Sequence, residues 1–342
     1  MEYNKRSISK DTGTLDTNYN IIWQSLTNEI TNDEMVISAT CQRLNSAGTV
    51  EGTCESISQA AVSDMTIAKK VSIESGFTHK YTFTILFKET NADQNYNQGK
   101  EFNGVLGIEE YKAPDFATDS WSTIIANVKA GNGSEYKVGS TKEVNLGSTY
   151  GTHTLRIANT STPSECSGTG FSQSACGFVL EFADIITDHV MNDTNTNVGG
   201  WPATSMRTFV NNDIYNAIPS EIKNAIIDTT VVSGHGSTSG ETNFTSIDKL
   251  YLLAPKEIYT NFPSSDDTAN DLTRTLDYYT NIGVTTSNCS GAKKNGIRAP
   301  WWKLRTANSY NTASFLLVSI GGSDFSNNAN FTNGVSPAFR LG

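Results

Sequence analysis

The sequence predicts an α+β protein of two domains, an all-β sandwich over residues 1–115 followed by a mixed domain over residues 116–342. The chain has 342 residues, which is long for a single domain. Charged residues make up only 18% of it, while Asn, Thr, Ser and Gly are abundant, a composition typical of β-rich proteins with polar loops. Apolar residues alternate in the first part, and helical spacings appear in the second.

Strands of the first domain are predicted from this alternation. In "HKYTFTILFKET", Tyr81, Phe83 and Ile85 point one way, while Thr82 and Thr84 point the other. "EFNGVLGIEEY" supplies the return strand, "EMVISATCQRL" and "TIAKKVSIES" supply earlier strands, and "QSLTNEITNDE" predicts a polar connection. One buried face per sheet suits a sandwich. "KAPDFATDS" is the predicted linker between the domains.

The second domain mixes helices and strands. "DSWSTIIANVKAG" predicts a helix that begins at Asp119 or Ser120 and ends at Gly131. More helices are predicted over "ATSMRTFVNNDIYNAI", "PSEIKNAIID" and "DDTANDLTRTLDYYTN", the last with Asp266 and Asp267 at its N-terminus. The predicted strands are "EYKVGSTKEVNL", "THTLRIANT", "GFVLEFADII", "KLYLLAP", "PWWKLRTA", "SFLLVSIGG" and "GVSPAFRLG". The tryptophans predicted to pack in the core are Trp201, Trp301 and Trp302.

Charge and hydropathy exclude two classes of partner. The net charge is −10 and the basic residues are scattered, so we expect no nucleic-acid partner. No stretch approaches 18 consecutive apolar residues, so we expect no membrane span. No signal peptide opens the chain, and "MEYNKRSISKDTG" suits a trimmed mature protein. The composition predicts an extracellular or cell-surface protein.

Four of the five cysteines form two closely spaced pairs. Cys41 and Cys54 flank one polar loop, and Cys166 and Cys176 flank another, so each pair is predicted to form a local disulfide, with free thiols as the alternative. Cys289 is left over as a loop thiol. No C-x-x-C occurs, which argues against a thiolate zinc site.

The usual catalytic motifs were not found. No two histidines lie at the i, i+4 spacing of a zincin, and "SGHGSTSGETNF" lacks the lysine of a phosphate-binding loop and predicts a flexible loop. "MNDTNTNVGGW" offers Asp193, Asn195 and Asn197 at alternate positions, as a hard cation such as Ca²⁺ requires. A turn hydrogen-bonded to its own backbone explains the same residues, so calcium is a weak candidate and no other cofactor is predicted.

Several motifs in order carry a resemblance: "MNDTNTNVGGWPATSMRTFVNNDIYNAIPSEIKNAI", "DKLYLLAPKEIY", "RTLDYY", "WWKLRTA" and "GVSPAFRLG". They resemble a bacterial gut family of unknown function that looks like the C-type lectin-like fold, shared with formylglycine-generating enzymes and the variable proteins of diversity-generating retroelements. The resemblance covers about residues 121–342. The N-terminal part more loosely resembles camelysin- and TasA-like exported β-sandwich proteins. The enzyme branch implies a cysteine pair near the chain end, which this sequence lacks, and this argues against formylglycine-generating activity. We expect a binding protein and not an enzyme.

The variable-protein branch implies a ligand-binding face that is diversified at asparagine codons. Residues 307–333 contain six Asn and five Ser, and none of the residues that such codons cannot reach, namely Lys, Gln, Glu, Trp and Met. An ordinary Asn- and Ser-rich loop is the alternative. The positions that the resemblance places on the ligand face are Tyr310, Asn311, Ser314, Leu316, Ser319, Ile320, Ser323, Asp324, Ser326, Asn327, Asn328, Asn330, Phe331 and Asn333.

Three functions follow from these observations. The first is a cell-surface binding protein, of cellular or phage origin, whose ligand is a protein or glycan on another cell, phage or host surface. The second is a metal-dependent enzyme that uses His189, Asp193, Asn195 and Asn197. The third is a pilus or matrix subunit that assembles through the edges of its N-terminal sandwich.

Overall fold

The computed structural model describes residues 17–62, 66–262, 271–296 and 301–342, together with the backbone of residues 2–9. Within this part of the chain, no helix is long and apolar enough to cross a membrane. The chain divides into two compact units, Met1–Ala113 and Pro114–Gly342. The predicted boundary follows residue 115.

The N-terminal unit is built from two antiparallel sheets. Its described strands are β1 (Glu2–Ser9), β2 (Thr17–Asn28), β3 (Met35–Leu44), β4 (Val50–Thr53), β5 (Ile57–Ala61), β6 (Thr66–Ile73), β7 (Thr78–Phe87) and β8 (Phe102–Glu110). One sheet has the order β1-β7-β3-β4, with β5 also paired to β3, and the other has the order β6-β2-β8. Side chains of both sheets share one core, in which Trp23 comes from β2 and Tyr81 from β7. This arrangement is a β-sandwich.

Strand β2 includes residues that the sequence analysis assigned to a polar connection. The predicted loop began at Gln24, but β2 continues to Asn28 because it pairs with β8, with Ser25 opposite Val105 and Thr27 opposite Asn103. The prediction was wrong here because polar residues with strand propensity lie on the solvent side of an established ladder.

The C-terminal unit contains more strands than helices. Its described strands are β9 (Thr141–Asn145), β10 (Thr152–Asn159), β11 (Val179–Phe182), β12 (Thr187–His189), β13 (Thr229–Ser233), β14 (Phe244–Asp248), β15 (Trp302–Ala307), β16 (Ser314–Val318), β17 (Asp324–Asn328), β18 (Asn333–Val335) and β19 (Ala338–Arg340). Its α-helices are α1 (Trp121–Lys129), α2 (Gly147–Tyr150), α3 (Ser205–Phe209), α4 (Tyr215–Ala217), α5 (Ser220–Lys223), α6 (Pro255–Ile258) and α7 (Asp277–Asn281), and the π-helical turn Val210–Ile214 joins α3 to α4.

Three sheets surround the core of this unit. Their orders are β19-β11-β10-β9, β12-β18-β15-β16-β17 and β13-β14. Trp201 and Trp302 are fully buried, and their indole N–H groups donate to Asp248 Oδ2 at 2.9 Å and to Ala292 O at 3.1 Å. Trp301 is only half-buried, so its predicted core position was wrong.

The predicted α+β class was also wrong. Strands make up 37% of the chain and helices 19%, in several small sheets, which fits an all-β sandwich more closely than an α+β fold. The arrangement does not show the C-type lectin-like fold. Apart from the nine residues of α1, the described α-helices have three to five residues. The amphipathic spacing predicted too much helix, because a short apolar segment is compatible with both a helix and a strand.

One predicted helix is replaced by irregular chain along part of its length. Helix α7 begins only at Asp277, and residues 271–276 are not helical. Their backbone groups bond to other segments, since Leu272 O accepts from Ser172 N at 2.8 Å and Leu276 N donates to Glu257 O at 3.0 Å. The predicted N-terminus at residues 266 and 267 lies outside the described residues. The predicted strand "KLYLLAP" is reduced to a single bridge between Tyr251 and Ala338.

Candidate functional site

The five-stranded sheet ends in a polar edge strand. Strand β16 is buried along its whole length and lies between β15 and β17. Strand β17 pairs antiparallel with β16, from Asp324 opposite Val318 to Asn328 opposite Ser314. No other described strand pairs with the outer edge of β17. A short polar strand is thus held on a fully buried neighbour, which gives its side chains a rigid support.

Large side chains on and beside β17 are exposed to solvent. The exposed fractions are 74% for Tyr310, 60% for Ile320, 54% for Phe325 and 53% for Phe331. The Phe325 ring also meets Trp301 edge to face, with the ring centroids 5.3 Å apart. We call the surface formed by Tyr310, Ile320, Phe325, Phe331 and strand β17 the edge-strand surface.

The predicted ligand-face residues divide into two groups. Those at least partly accessible are Tyr310, Asn311, Ile320, Ser323, Asp324, Ser326, Asn327, Asn328, Asn330 and Phe331. Those that are buried are Ser314, Leu316, Ser319 and Asn333. The buried four cannot contact a ligand directly, because they belong to the packed side of the sheet and its turns. Phe325, which the sequence analysis left out, is exposed.

The turn between β16 and β17 is held by hydrogen bonds and close packing. Ser319 N donates to Ser323 O at 2.8 Å, and the two hydroxyl groups lie 2.7 Å apart. Gly322 has a φ of 92°, and a Cβ there would lie 2.1 Å from Cys289 O. The carbonyl oxygen of Gly322 also accepts a hydrogen bond from the hydroxyl group of buried Tyr259, with 2.5 Å between the two oxygen atoms. Ile320 therefore projects from a turn with little freedom to move.

Asparagine side chains shape the loop that carries Tyr310. Asn308 Oδ1 accepts from Tyr310 N at 2.8 Å. Asn311 Oδ1 accepts from Ala313 N at 2.9 Å and from Ser314 N at 2.8 Å. These are turns in which an Asn side chain replaces a backbone acceptor. Asn311, predicted as a ligand contact, thus also holds the conformation of its own loop.

Asn197 anchors the same loop from the other side. It is fully buried, and its Nδ2 donates to Asn311 O and Ser314 O, each at 2.9 Å, and to Asn308 O at 3.2 Å. Its backbone N–H donates to Thr312 O at 2.8 Å. Asn197, proposed from its spacing as a cation ligand, therefore has a structural role in positioning residues 308–314.

The other members of the predicted cation site have different surroundings. Asp193 and Asn195 are exposed. His189 stacks on Phe209 with ring centroids 4.2 Å apart, and its Nδ1 donates to Val190 O. Among the described residues, a potential metal group of His, Cys, Asp or Glu is found at Cys41, Cys54 and His79. Cys41 and Cys54 are joined in a disulfide, so they offer no thiolate to a metal.

Buried charged side chains link strand β15 to the neighbouring segments. Arg305 of β15 is fully buried and donates to Glu257 through Nη1 at 2.6 Å and through Nη2 at 2.8 Å. Nearby, Asp271 accepts from Gly234 N at 2.8 Å and from Thr306 Oγ1 at 2.9 Å, and burial raises the pKa of its carboxyl to about 7. These contacts hold β15, α6 and the segment that follows β13 in one arrangement.

Lys303 has a different environment within the same strand. It is 2% exposed, and no described residue forms an ion pair or hydrogen bond with its ammonium group. Burial lowers its pKa to about 8. Lys303 lies opposite Leu317, which lies opposite Phe325, so the three share one face of the sheet.

Both predicted cysteine pairs are bonded. The disulfide Cys41–Cys54 lies in the N-terminal unit and Cys166–Cys176 in the C-terminal unit, while Cys289 is free and half-buried. Disulfides form and persist in oxidising compartments.

The C-terminal unit is thus a β-rich domain whose five-stranded sheet presents an edge-strand surface. A family model described as a domain of unknown function (DUF6273) matches residues 178–342. The matched segment contains the complete five-stranded sheet. No curated protein and no solved structure matches the chain.

Proposed function

We propose that the protein binds a protein or glycan ligand outside the cell through its edge-strand surface. The observation that carries this proposal is the exposure of Tyr310, Ile320, Phe325 and Phe331 beside strand β16, which is buried along its whole length. Rigid aromatic anchors among small polar side chains are the composition that binding surfaces use. The two disulfides support an extracellular location.

The polar neighbours of these anchors suit the same role. Ser326 and Asn327 of β17, and Asn330 beyond it, offer donors and acceptors at the surface. The hydrogen bonds of Asn197, Ser319 and Gly322 hold the two flanking turns. A surface held in place before binding loses little conformational entropy when it meets its ligand.

Binding can be tested on intact cells. Fluorescently labelled protein is incubated with a panel of fixed bacterial cells and measured by flow cytometry. The variant Tyr310→Ser/Phe331→Ser should lose at least about tenfold in cell binding, because aromatic anchors carry much of an interface's energy. The control Val105→Ser/Ile247→Ser removes exposed apolar side chains elsewhere and should bind like the wild type. Protease and periodate treatment of the cells distinguishes a protein ligand from a glycan.

Absence of wild-type binding to every cell type in the panel, or equal loss in both variants, would contradict the proposal. Circular dichroism of each variant checks that the fold is retained.

We further propose that the edge-strand surface is diversified by a retroelement. The Asn and Ser content of residues 307–333 supports this proposal. The structure limits where change is tolerated, since Ser314, Leu316, Ser319 and Asn333 are buried. The test is genomic: a near-copy of the 3′ coding segment should lie beside a reverse transcriptase gene and differ only at template adenines. A complete genome without such a copy excludes active diversification.

A further inference from the structure

A groove lies beside Tyr310, between the loop that follows β13 and the loop that follows β15. Its volume is about 490 Å³. The lining residues are His235, Gly236, Ser237, Thr238, Gly240, Glu241, Ser309 and Tyr310. The first of these loops, "SGHGSTSGETNF", is predicted from its sequence to be flexible. Hydrogen bonds hold both of its ends.

Three contacts hold the loop. Gly234 N donates to the buried carboxylate of Asp271 at 2.8 Å. At the other end, Glu241 Oε1 accepts from Gly199 N at 2.7 Å. Between them Gly236 packs directly on Asn197, because a Cβ at position 236 would lie 2.6 Å from Asn197 Oδ1. The groove is therefore part of the folded domain.

Two side chains that line the groove carry an oxygen atom without a partner. Glu241 Oε2 and Thr238 Oγ1 form no hydrogen bond with any described residue. A buried polar atom that stays unpaired costs free energy, so unpaired acceptors at a groove indicate a ligand that donates.

The histidine adds another acceptor. His235 Nδ1 lies 2.6 Å from Gly236 O, and a carbonyl oxygen can only accept, so Nδ1 carries the proton. In the neutral imidazole Nε2 then accepts. The described lining residues include one carboxylate and no lysine or arginine. The groove is thus acceptor-rich and negatively charged.

We infer that this groove binds the ammonium or guanidinium group of a ligand, such as a lysine or arginine side chain of a peptide. The Glu241 carboxylate supplies the counter-charge, and Thr238 Oγ1 supplies a further acceptor. The exposed ring of Tyr310 can cover the cation. A calcium ion fits less well, because it takes six to eight oxygen ligands and the described lining offers a single carboxylate.

This inference rests on the proposed function only in that Tyr310 belongs to both surfaces. It names a basic group as part of the ligand and adds residues outside the edge-strand surface. The groove requires Glu241, whereas the edge-strand surface requires Phe325 and Phe331. The two can therefore be tested separately.

The test uses the full chain and small defined probes. Nα-acetyl-lysinamide and Nα-acetyl-argininamide are titrated by NMR, with the neutral Nε-acetylated lysine derivative and CaCl₂ as comparisons. We expect saturable binding of both cations, on the order of millimolar for so small a ligand, and none of the neutral derivative. Glu241→Gln keeps an acceptor for Gly199 N–H but removes the charge, and should weaken binding at least about tenfold.

The matched control is Glu221→Gln, an exposed carboxylate on α5, which should bind like the wild type. Tyr310→Ala should weaken binding more than Tyr310→Phe, because the ring supplies the contact. Several outcomes would overturn the inference: no binding of either cation, equal binding of the neutral derivative, equal affinity in Glu241→Gln, or binding of Ca²⁺ alone. Cell binding that depends on Phe331 while the probes fail would leave the proposed function standing.

Discussion

The ion pair between Arg305 and Glu257 gives the sharpest prediction for stability. Both side chains are fully buried, and Glu257 accepts two hydrogen bonds from the guanidinium. It also accepts from Ala254 N at 2.8 Å, from Thr273 Oγ1 at 2.9 Å and from the Ser174 hydroxyl. The substitution Glu257→Gln keeps the shape of the side chain, but it places an NH₂ group among donors and leaves the Arg305 charge unpaired.

The expected cost follows from that geometry. Removing one partner of a buried ion pair typically costs about 3–5 kcal/mol, because the other charge remains buried. For a domain of this size each kcal/mol lowers the melting temperature by about 2–4 °C, so we expect a loss on the order of 10 °C. Differential scanning calorimetry measures the shift. The control Glu221→Gln alters an exposed carboxylate and should shift the transition by less than about 1–2 °C.

A companion variant separates the charge effect from the packing effect. Replacing both partners, as Glu257→Gln with Arg305→Met, removes the unpaired charge while the amide oxygen can still accept from the neighbouring donors, and it should destabilise less than Glu257→Gln alone. If Glu257→Gln melts within about 2 °C of the wild type, the ion pair does not support this sheet as argued.

Two further predictions concern the same unit. Burial raises the pKa of Asp271 to about 7, whereas the carboxyl of the unfolded chain titrates near about 4. The folded state therefore binds more protons between these values, so this stabilising contribution is full below about pH 4 and is lost by about pH 7. Thermal melts should show the wild type losing stability relative to Asp271→Asn over that range, and parallel curves would contradict this. Replacing Cys166 and Cys176 by Ala opens a loop with a separation of 10 residues, and should cost about 3 kcal/mol in denaturant unfolding. Cys289→Ala is the control, since that thiol is free, and a cost below about 1 kcal/mol for the pair would refute the estimate.

Local patterns predicted the elements whose determinants lie close together in sequence. The apolar run of "SFLLV" matches β16, and the alternation of "HKYTFTILF" matches β7. Helix α1 begins where Ser120 Oγ accepts from Thr123 N. Each depends on residues within one turn or one strand, which is the range that periodicity describes.

Strand β17 could not be predicted because its conformation depends on its neighbour. The segment "DFSNN" contains Ser and Asn, and Asn is depleted in strands. Pairing with all five residues of β16 imposes the extended form. Ser314 and Asn333 belong to β16 and β18, which are buried at every position, and their polar side chains gave no indication of this burial.

The ion pair and the groove depend on contacts between distant segments. Glu257 and Arg305 are 48 residues apart, and Glu241 and Tyr310 approach the same cavity from separate loops. The sequence does indicate the ion pair, since charged residues within the apolar segments "APKEIY" and "WWKLRTA" require buried partners. The sequence does not indicate the groove, because polar loops and exposed tyrosines are common on protein surfaces.

The anchoring of residues 308–314 by Asn197 bears on how this surface can evolve. The amide of Asn197 contacts only carbonyl oxygens of that loop, and every amino acid carries the same carbonyl group. Exchange of Tyr310 or Thr312 for other side chains therefore leaves these bonds intact. The side chains exposed on this loop can therefore change during evolution while its backbone conformation stays the same.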